Sequence, residues 1–371
     1  MPKKVCHITT VHPPFDVRIF YKECRTLSQN GYDVTLIAQH GRDEIIDGIK
    51  IVPLPKVRNR LQRFLGLNIL AFWKALKQNA DIYHFHDPEL IILGLFLKLL
   101  GKRVIYDVHE DVPRQVLSKY WIPKGFRAII AKIVELIESF ASYIFDGIVG
   151  ATPQIASRFP YDKAIVVQNF PLKDELILEL NTPYMLRPNF VGYIGGISVI
   201  RGIFEMVRAM ESLPERLNMR LILAGSFSPK NIRDEVSRLP GWGKVEFLGW
   251  LSRDEIRELL DKLRVGLVLF YPEPNQINSQ PNKLFEYMSA EIPIVASNFP
   301  LWKEIVEGNQ CGICVDPLNP EEIARAIEYL ITHPDEAQRM GENGRKAVIE
   351  KYNWESESKK LIELYRKILS S

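Results

Sequence analysis

The chain has 371 residues, 46% of them apolar and 25% charged, with a formal net charge of +3. That length accommodates two domains, and that apolar content excludes a disordered or collagen-like chain. Four cysteines (Cys6, Cys24, Cys311, Cys314) exclude a disulfide scaffold and fit a reducing cytoplasm, while so small a charge gives no reason to expect a nucleic-acid partner.

The N-terminus carries no apolar leader run and enters a strand pattern at Val5–Thr10. A helix is predicted over Ile19–Asn30, ended by Gly31 as a C-cap. Strands follow at Val34–Ala38 and Ile49–Leu54, a helix at Arg63–Gln78, a strand at Ile82–His86 and a buried helix at Leu90–Leu100. Val104–Val108 is a strand, Pro123–Phe145 a long helix, and Ile148–Gly150 and Ala164–Gln168 are short strands. The apolar runs Leu90–Leu97 and Ala128–Val149 are too short or too interrupted by charge to span a bilayer of about 20 residues.

The pattern then restarts. Strands are predicted at Phe190–Ile194, Arg220–Ala224, Val245–Gly249, Val265–Phe270, Ile294–Ala296 and Gly312–Val315. Helices are predicted at Phe204–Ser212, Asn231–Leu239, Arg253–Leu263, Asn282–Ala290 and Pro320–Thr332. Apolar strands alternating with helices predict α/β architecture, with parallel sheets covered on both faces. Two such runs without a repeated sequence give two doubly wound, Rossmann-like domains, 1–170 and 189–353, joined by a proline-bearing linker over 171–188. Ligands of such domains sit beyond the carboxyl ends of the strands, so the cleft between the two domains is the expected site.

Three segments carry chemistry. In Asn278-Ser-Gln-Pro-Asn-Lys-Leu-Phe-Glu286, a polar loop enters a helix whose free N–H groups favour an anion. Lys283 adds a charge there, and Glu286 suits a ribose diol, although the same spacing fits an ordinary amphipathic helix. In Gly192-Tyr-Ile-Gly-Gly-Ile-Ser-Val-Ile-Arg-Gly202, glycines after a strand admit close approach of a ligand, and Arg201 suits a diphosphate. Neither G-x-G-x-x-G nor the acidic partner of a dinucleotide site is present. In Tyr106-Asp-Val-His-Glu-Asp111, His109 follows a strand and faces a ligand or caps a turn. His84 and His86 share one strand face, but no motif supplies further metal ligands, so no metal is expected. Cys311 and Cys314 sit three apart on a strand, on opposite faces, and read as small core residues.

Taken together these segments resemble the retaining glycosyltransferases of family GT4, which have the GT-B fold. The likeness runs from Val5 to the C-terminus. His12-Pro-Pro-Phe-Asp-Val-Arg-Ile-Phe-Tyr-Lys-Glu resembles a bacterial surface-polysaccharide branch, and Gly31-Tyr-Asp-Val-Thr-Leu-Ile resembles the family's G-H-x-V-x-V strand entry. Gly195–Gly202 matches a G-R-L-S-x-x-K-G loop, Asn278–Glu286 matches E-x7-E, and Tyr352-Asn-Trp-Glu355 opens a tail. The resemblance implies that the tail helix 354–371 returns to the first domain. It implies that Glu286 holds the donor ribose, that Arg201 stands for a phosphate-binding lysine, and that His109 contacts the transferred sugar. Backbone of Ser279, Gln280, Pro281 and Asn282 would cradle sugar hydroxyls and diphosphate. Asn278 replaces the first glutamate, and Gly196 replaces a phosphate-binding arginine, a charge that Lys283 is expected to restore.

The implied reaction is sugar transfer from a nucleotide sugar, with UDP-sugars such as a UDP-N-acetylhexosamine favoured, to a glycan or lipid-linked acceptor. It retains anomeric configuration and needs no metal or other cofactor, because cations stabilise the leaving diphosphate. Domain closure would exclude water. A nucleotide-sugar-binding protein degenerate at Asn278 and Gly196, and a GT-B epimerase, are the alternatives. Residues 1–170 hold 23 Lys and Arg against 16 Asp and Glu, while 171–371 hold 25 against 29. The basic first half is therefore expected to touch an anionic membrane at its cytoplasmic face. Lys56, Arg58, Arg60, Arg63 and Arg127 are the expected cations, beside Leu61, Phe64, Leu65 and Phe126.

Overall fold

The computed structural model describes residues 2–57, 59, 62–118, 122–172 and 181–370. The chain divides into two compact units, Met1–Asn169 with Trp354–Ser371, and Phe170–Asn353. Residues 171–188 are not a free linker where they are described. Thr182 binds Asp261, the hydroxyl of Tyr184 donates to the carbonyl of Arg264, and Phe170 packs against Phe285.

The first unit is an eight-stranded sheet. Its strands are β1 (Lys4–Ile8), β2 (Asp33–Gln39), β3 (Glu44–Ile46), β4 (Ile49–Leu54), β5 (Ile82–Phe85), β6 (Arg103–Val108), β7 (Gly147–Gly150) and β8 (Ala164–Val166). Their order is β3-β4-β2-β1-β5-β6-β7-β8, and all pair in parallel except the β3–β4 hairpin. Strands buried on both faces, such as Val34–Ala38 in β2, demand helices on both sides. Those used below are α1 (Asn68–Gln78), α2 (Ile91–Leu99) and α3 (Lys124–Ile144). The helix predicted over Ile19–Asn30 begins as a wide π-helical stretch, Val17–Cys24, capped by the carboxylate of Asp16, and Gly31 follows it at φ +83°.

The C-terminal helix Trp354–Ser370 belongs to this unit. Leu361, Leu364, Tyr365 and Ile368 lie at i, i+3, i+4 and i+7 and are buried. The indole of Trp354 donates to Thr26 at 2.8 Å, and Glu357 accepts from the backbone N–H of Gln168 at 2.9 Å.

The second unit holds β9 (Phe190–Ile194), β10 (Arg220–Ala224), β11 (Val245–Gly249), β12 (Leu263–Val268), β13 (Ile294–Ser297) and β14 (Gly312–Val315). All are parallel, in the order β11-β10-β9-β12-β13-β14. Helix α4 (Asn282–Ser289) follows β12. Helices at Val112–Ser118, Pro300–Val306 and Pro334–Glu350 add to the predicted set.

Candidate functional site

In each sheet the strand order reverses once, between β1 and β5 and between β9 and β12. Such a switch point leaves a crevice at the carboxyl ends, where adjoining loops part in opposite directions. The residues singled out above lie at these two places.

In the second unit, β9 ends in the glycine loop. Gly195 adopts φ +127°, which a side chain rarely tolerates, and a Cβ there would lie 3.2 Å from the amine of Lys283. At Gly196 a Cβ would lie 2.7 Å from Nη1 of Arg201, which donates to the Gly196 carbonyl at 3.1 Å. The missing side chain at 196 thus makes room for the guanidinium of Arg201. The hydroxyl of Tyr193 donates to the same carbonyl at 2.7 Å, fixing the turn.

Helix α4 is tied to that loop through its apolar face. Leu284, Phe285, Tyr287 and Met288 are buried. The hydroxyl of Tyr287 accepts from the N–H of Ile194 at 3.0 Å and donates to the carbonyl of Gly192 at 3.1 Å. This fixes the helix rotation and sends Lys283 toward the glycines. Its Nζ lies 3.8 Å from the centroid of the Tyr193 ring and has no hydrogen-bond partner. Burial first, then the charge of Arg201, hold this amine well below the ordinary lysine range, with Glu286 opposing them. Glu286 is half-buried and follows Lys283 by three residues, about one helical turn.

The preceding loop is also held. Ser279 accepts at its carbonyl from the indole of Trp302 at 2.6 Å, and its hydroxyl donates to the carbonyl of Gln276 at 2.8 Å. Gln280 keeps a buried side-chain oxygen without a partner. Asn278 is half-buried, Pro281 caps α4 and Asn282 is its exposed first residue. Gly195, Gly196, Arg201, Lys283, Glu286 and the 278–282 loop therefore form one cluster.

In the first unit the switch point gathers Asp87, His12, Asp107 and His109. Asp87 accepts from the N–H of Thr10 at 2.6 Å and the hydroxyl of Thr9 at 3.0 Å, binding the end of β1 to that of β5. His12 stands 3.5 Å from Asp16 and 3.6 Å from Asp87. Burial works against its charged form, but the Asp16 hydrogen bond and then the Asp87 charge outweigh it and raise its pKa. Nε2 of His109 lies 2.6 Å from Asp107, whose carboxylate takes two hydrogen bonds from Arg18 at 3.1 and 2.9 Å. Burial would raise this carboxyl; Arg18 and then His109 prevail and hold it well below the usual range. Within the His86–Asp107–His109 set, His109 alone reaches the surface, its side chain 14% exposed against 0% for Asp107 and for His86.

Behind them His86 bonds Asp107 at 3.0 Å and His7 at 2.9 Å. Tyr365 of the C-terminal helix meets His7 at 3.2 Å and His84 at 2.7 Å. Burial pushes His86 down to about 4 and carries His7 and His84 well below the ordinary range, so these imidazoles are neutral. The ligand atoms of His7, Glu23, His84 and His86, and those of His86, Asp107 and His109, approach within 4.8 Å of one another. Most of these nitrogens are already hydrogen-bonded, and the guanidinium of Arg18 lies 3.0 Å from Glu23. A metal ion would meet that fixed positive charge, and the cluster reads as a hydrogen-bond network.

Sequence pattern singles out His109 but not its partner Asp107, because Arg18 and Asp107 are 89 residues apart and only the fold joins them. Asp87 and His12 carry a weaker signal, a carboxylate and an imidazole just beyond apolar strands. Cys311 is buried, with Sγ 3.3 Å from the carbonyl of Val306, but Cys314 is only half-buried. Burial pushes both thiols up to about 12. Arg58, Arg60 and Leu61, and the side chain of Leu65, lie outside the described residues.

Two family models match the chain. Glycosyl transferases group 1 covers residues 184–347, and Glycosyltransferase Family 4 covers residues 17–160. The glycosyltransferase MJ1607 of Methanocaldococcus jannaschii is 29% identical over 98% of both chains. The capsular polysaccharide biosynthesis glycosyltransferase CapM of Staphylococcus aureus is 24% identical over 99% of this chain and 98% of its own. Among solved structures, HepE of Anabaena in complex with UDP-glucose superposes with a TM-score of 0.71 at 14% identity, over 98% of this chain and 99% of that one. With the two family models together spanning both sheets, the chain belongs to the GT4-type glycosyltransferases of the GT-B fold.

Proposed function

We propose that this glycosyltransferase moves a sugar from a nucleotide-sugar donor to a glycan or lipid-linked acceptor in surface polysaccharide synthesis. Transfer proceeds with retention and without a metal ion, at the cytoplasmic face of a membrane. The observation that carries this reading is the amine of Lys283, buried beside Arg201 at the glycine loop with nothing to bond. An amine stripped of water beside a guanidinium is pressed toward its neutral form and left with an unsatisfied polar atom, which is costly without a partner. A diphosphate at the start of α4 would neutralise both. Glu286, one turn further on, is set to accept from the ribose hydroxyls. UDP-sugars are favoured, UDP-N-acetylhexosamine among them, and the UDP-glucose held by HepE supports that class. The name of CapM supports a polysaccharide acceptor.

Chemistry follows from where charge develops. Cleavage of the sugar–phosphate bond leaves negative charge on the diphosphate and positive character on the sugar. Arg201 and Lys283 are fixed before the reaction and need no reorganisation to meet that negative charge. His109 is the residue assigned to a sugar hydroxyl: Asp107 sets its ring orientation and tautomer, so one nitrogen remains for that contact. The acceptor hydroxyl attacks from the face the diphosphate leaves and passes its proton to the departing phosphate oxygen, so no protein nucleophile is required.

The test is a panel of nucleotide sugars incubated with and without a lipid-linked acceptor pool. Glycan product should need both, and an α-linked donor should give an α-linked product by NMR. Epimerised donor without acceptor, or donor bound but never consumed, contradicts the reading.

A further inference from the structure

We propose that the outer face of α1, α2 and α3 is a docking surface for an anionic lipid bilayer. This deepens the membrane side of the reading above. It is measured without donor or acceptor, so the two can fail separately.

Helix α3 is inside out for a soluble unit. Its 21 residues turn Ala131, Glu138, Ala141 and Ser142 inward. Phe126, Ile129, Ile133, Leu136, Phe140 and Tyr143 all stand exposed. These six recur at i, i+3, i+7, i+10, i+14 and i+17, one straight stripe roughly 25 Å long. Helix α2 packs beside α3 and leaves Leu99 81% exposed, and α1 packs beside α2 and leaves Trp73 58% exposed. The Phe72 and Phe96 rings, 6.1 Å apart, join these two helices. A continuous apolar face of this extent marks an interaction site.

Charge selects the occupant. The three helices carry Lys74, Lys77, Lys98, Lys124, Arg127 and Lys132 against two carboxylates. Glu135 is paired with Lys132 at 2.7 Å, Lys98 is paired with Asp146 at 2.8 Å, and Glu138 is buried on Arg158. A second copy docked by two-fold symmetry would set Lys74, Lys77, Lys124 and Arg127 against the same four again. An anionic headgroup layer complements them instead. Trp73 and Tyr143 have the amphipathic rings that settle at headgroup depth, while the α3 stripe reaches the acyl boundary. No helix among the described residues is long and apolar enough to cross a membrane, so the contact is peripheral. The expected cation Arg63 is instead engaged with Glu89 at 2.8 Å, and Arg127 donates to the carbonyl of Ile122.

The test is flotation of the full chain with phosphatidylcholine vesicles, with and without phosphatidylglycerol, at low and high salt. Wild type should float only with the anionic vesicles, and less at high salt. Lys124→Glu/Lys132→Glu should lower the partition coefficient at least about tenfold, and Phe126→Ser/Ile133→Ser/Phe140→Ser should lower it further. Both variants change exposed side chains and should keep the wild-type melting temperature and UDP affinity. Equal binding to neutral vesicles, no binding to either, or binding indifferent to both variants overturns the proposal. So does a wild-type dimer in solution that the triple variant converts to monomer.

Discussion

Replacing Lys283 by methionine separates the free protein from the liganded one. In the free protein the amine is buried, without a hydrogen-bond partner, and pressed toward neutrality by burial and by Arg201. A methionine keeps the stem packed on Tyr193 and Phe270 and removes a polar atom that gains nothing there. Lys283→Met should therefore unfold at the wild-type temperature or above it. With nucleotide bound the sign reverses. One charge-assisted hydrogen bond to the diphosphate contributes about 1.5–3 kcal/mol, which is about 10- to 150-fold in the dissociation constant for UDP. Proton linkage gives a second signature. A lysine depressed in the free fold makes the native state gain stability as pH rises toward the unfolded lysine value of about 10.4. A bound diphosphate raises that lysine again, so nucleotide binding takes up a proton and weakens as pH rises. Calorimetry of UDP binding in two buffers of different ionisation heat measures both affinity and proton uptake. Wild-type affinity and wild-type proton uptake in a folded Lys283→Met protein would refute the placement of the amine on the diphosphate.

Glu286→Ala should weaken nucleotide binding about tenfold or more, since it removes a charged acceptor from the ribose hydroxyls; equal UDP and GDP affinities in variant and wild type would count against that role. Arg18→Met leaves the buried Asp107 carboxylate without its guanidinium partner and should cost about 3–5 kcal/mol in a denaturant titration, whereas a loss within the surface-substitution range would mean the pair is not buried in solution. Deleting residues 354–371 strips Tyr365 from His7 and His84 and uncovers the packing of Leu361 and Leu364, so the truncated chain should aggregate; a soluble and active truncation would contradict the packing. His7, His84 and His86 are held below their ordinary pKa by burial, so the unfolded chain binds more protons than the native one as pH falls. Their stabilising contribution is complete above the unfolded histidine value of about 6.5 and is lost as pH drops toward the His86 value of about 4; urea midpoints flat across that window would show the cluster to be charged in the native state.

The strands were legible because each is an apolar run wherever the sheet is covered on both faces. What escaped the periodicity has particular causes. Helix Pro334–Glu350 turns Ala337, Gly341, Gly344 and Ala347 inward, a stripe of small residues without an apolar signal. It needs them, since a Cβ on Gly341 would stand 2.2 Å from the carbonyl of Glu291. Strand β3 has three residues, and its mark was the Asp47-Gly48 turn, both residues at positive φ. At the glycine loop and the start of α4 the glycines, Arg201, Lys283 and Glu286 were readable because each segment is continuous in sequence. At the other switch point His109 meets Asp107 of β6, His86 beyond β5 and His12 beyond β1, and Asp107 in turn meets Arg18 at a helix start. The loss of an arginine at Gly196 read as a missing charge, and the fold shows the guanidinium of Arg201 in that space.

Whether Arg201 and Lys283 hold a nucleoside diphosphate without a metal is measured most directly by the shift in unfolding temperature of the full chain titrated with UDP- and GDP-sugars in the presence of EDTA. A ligand that binds only the native state stabilises it by about 2.7 kcal/mol at a hundredfold excess over its dissociation constant. Such a rise is expected with at least one nucleotide sugar, and its loss in Arg201→Ala/Lys283→Met. No rise with any nucleotide sugar, a rise that needs added divalent cation, or a full rise in the double variant would contradict it.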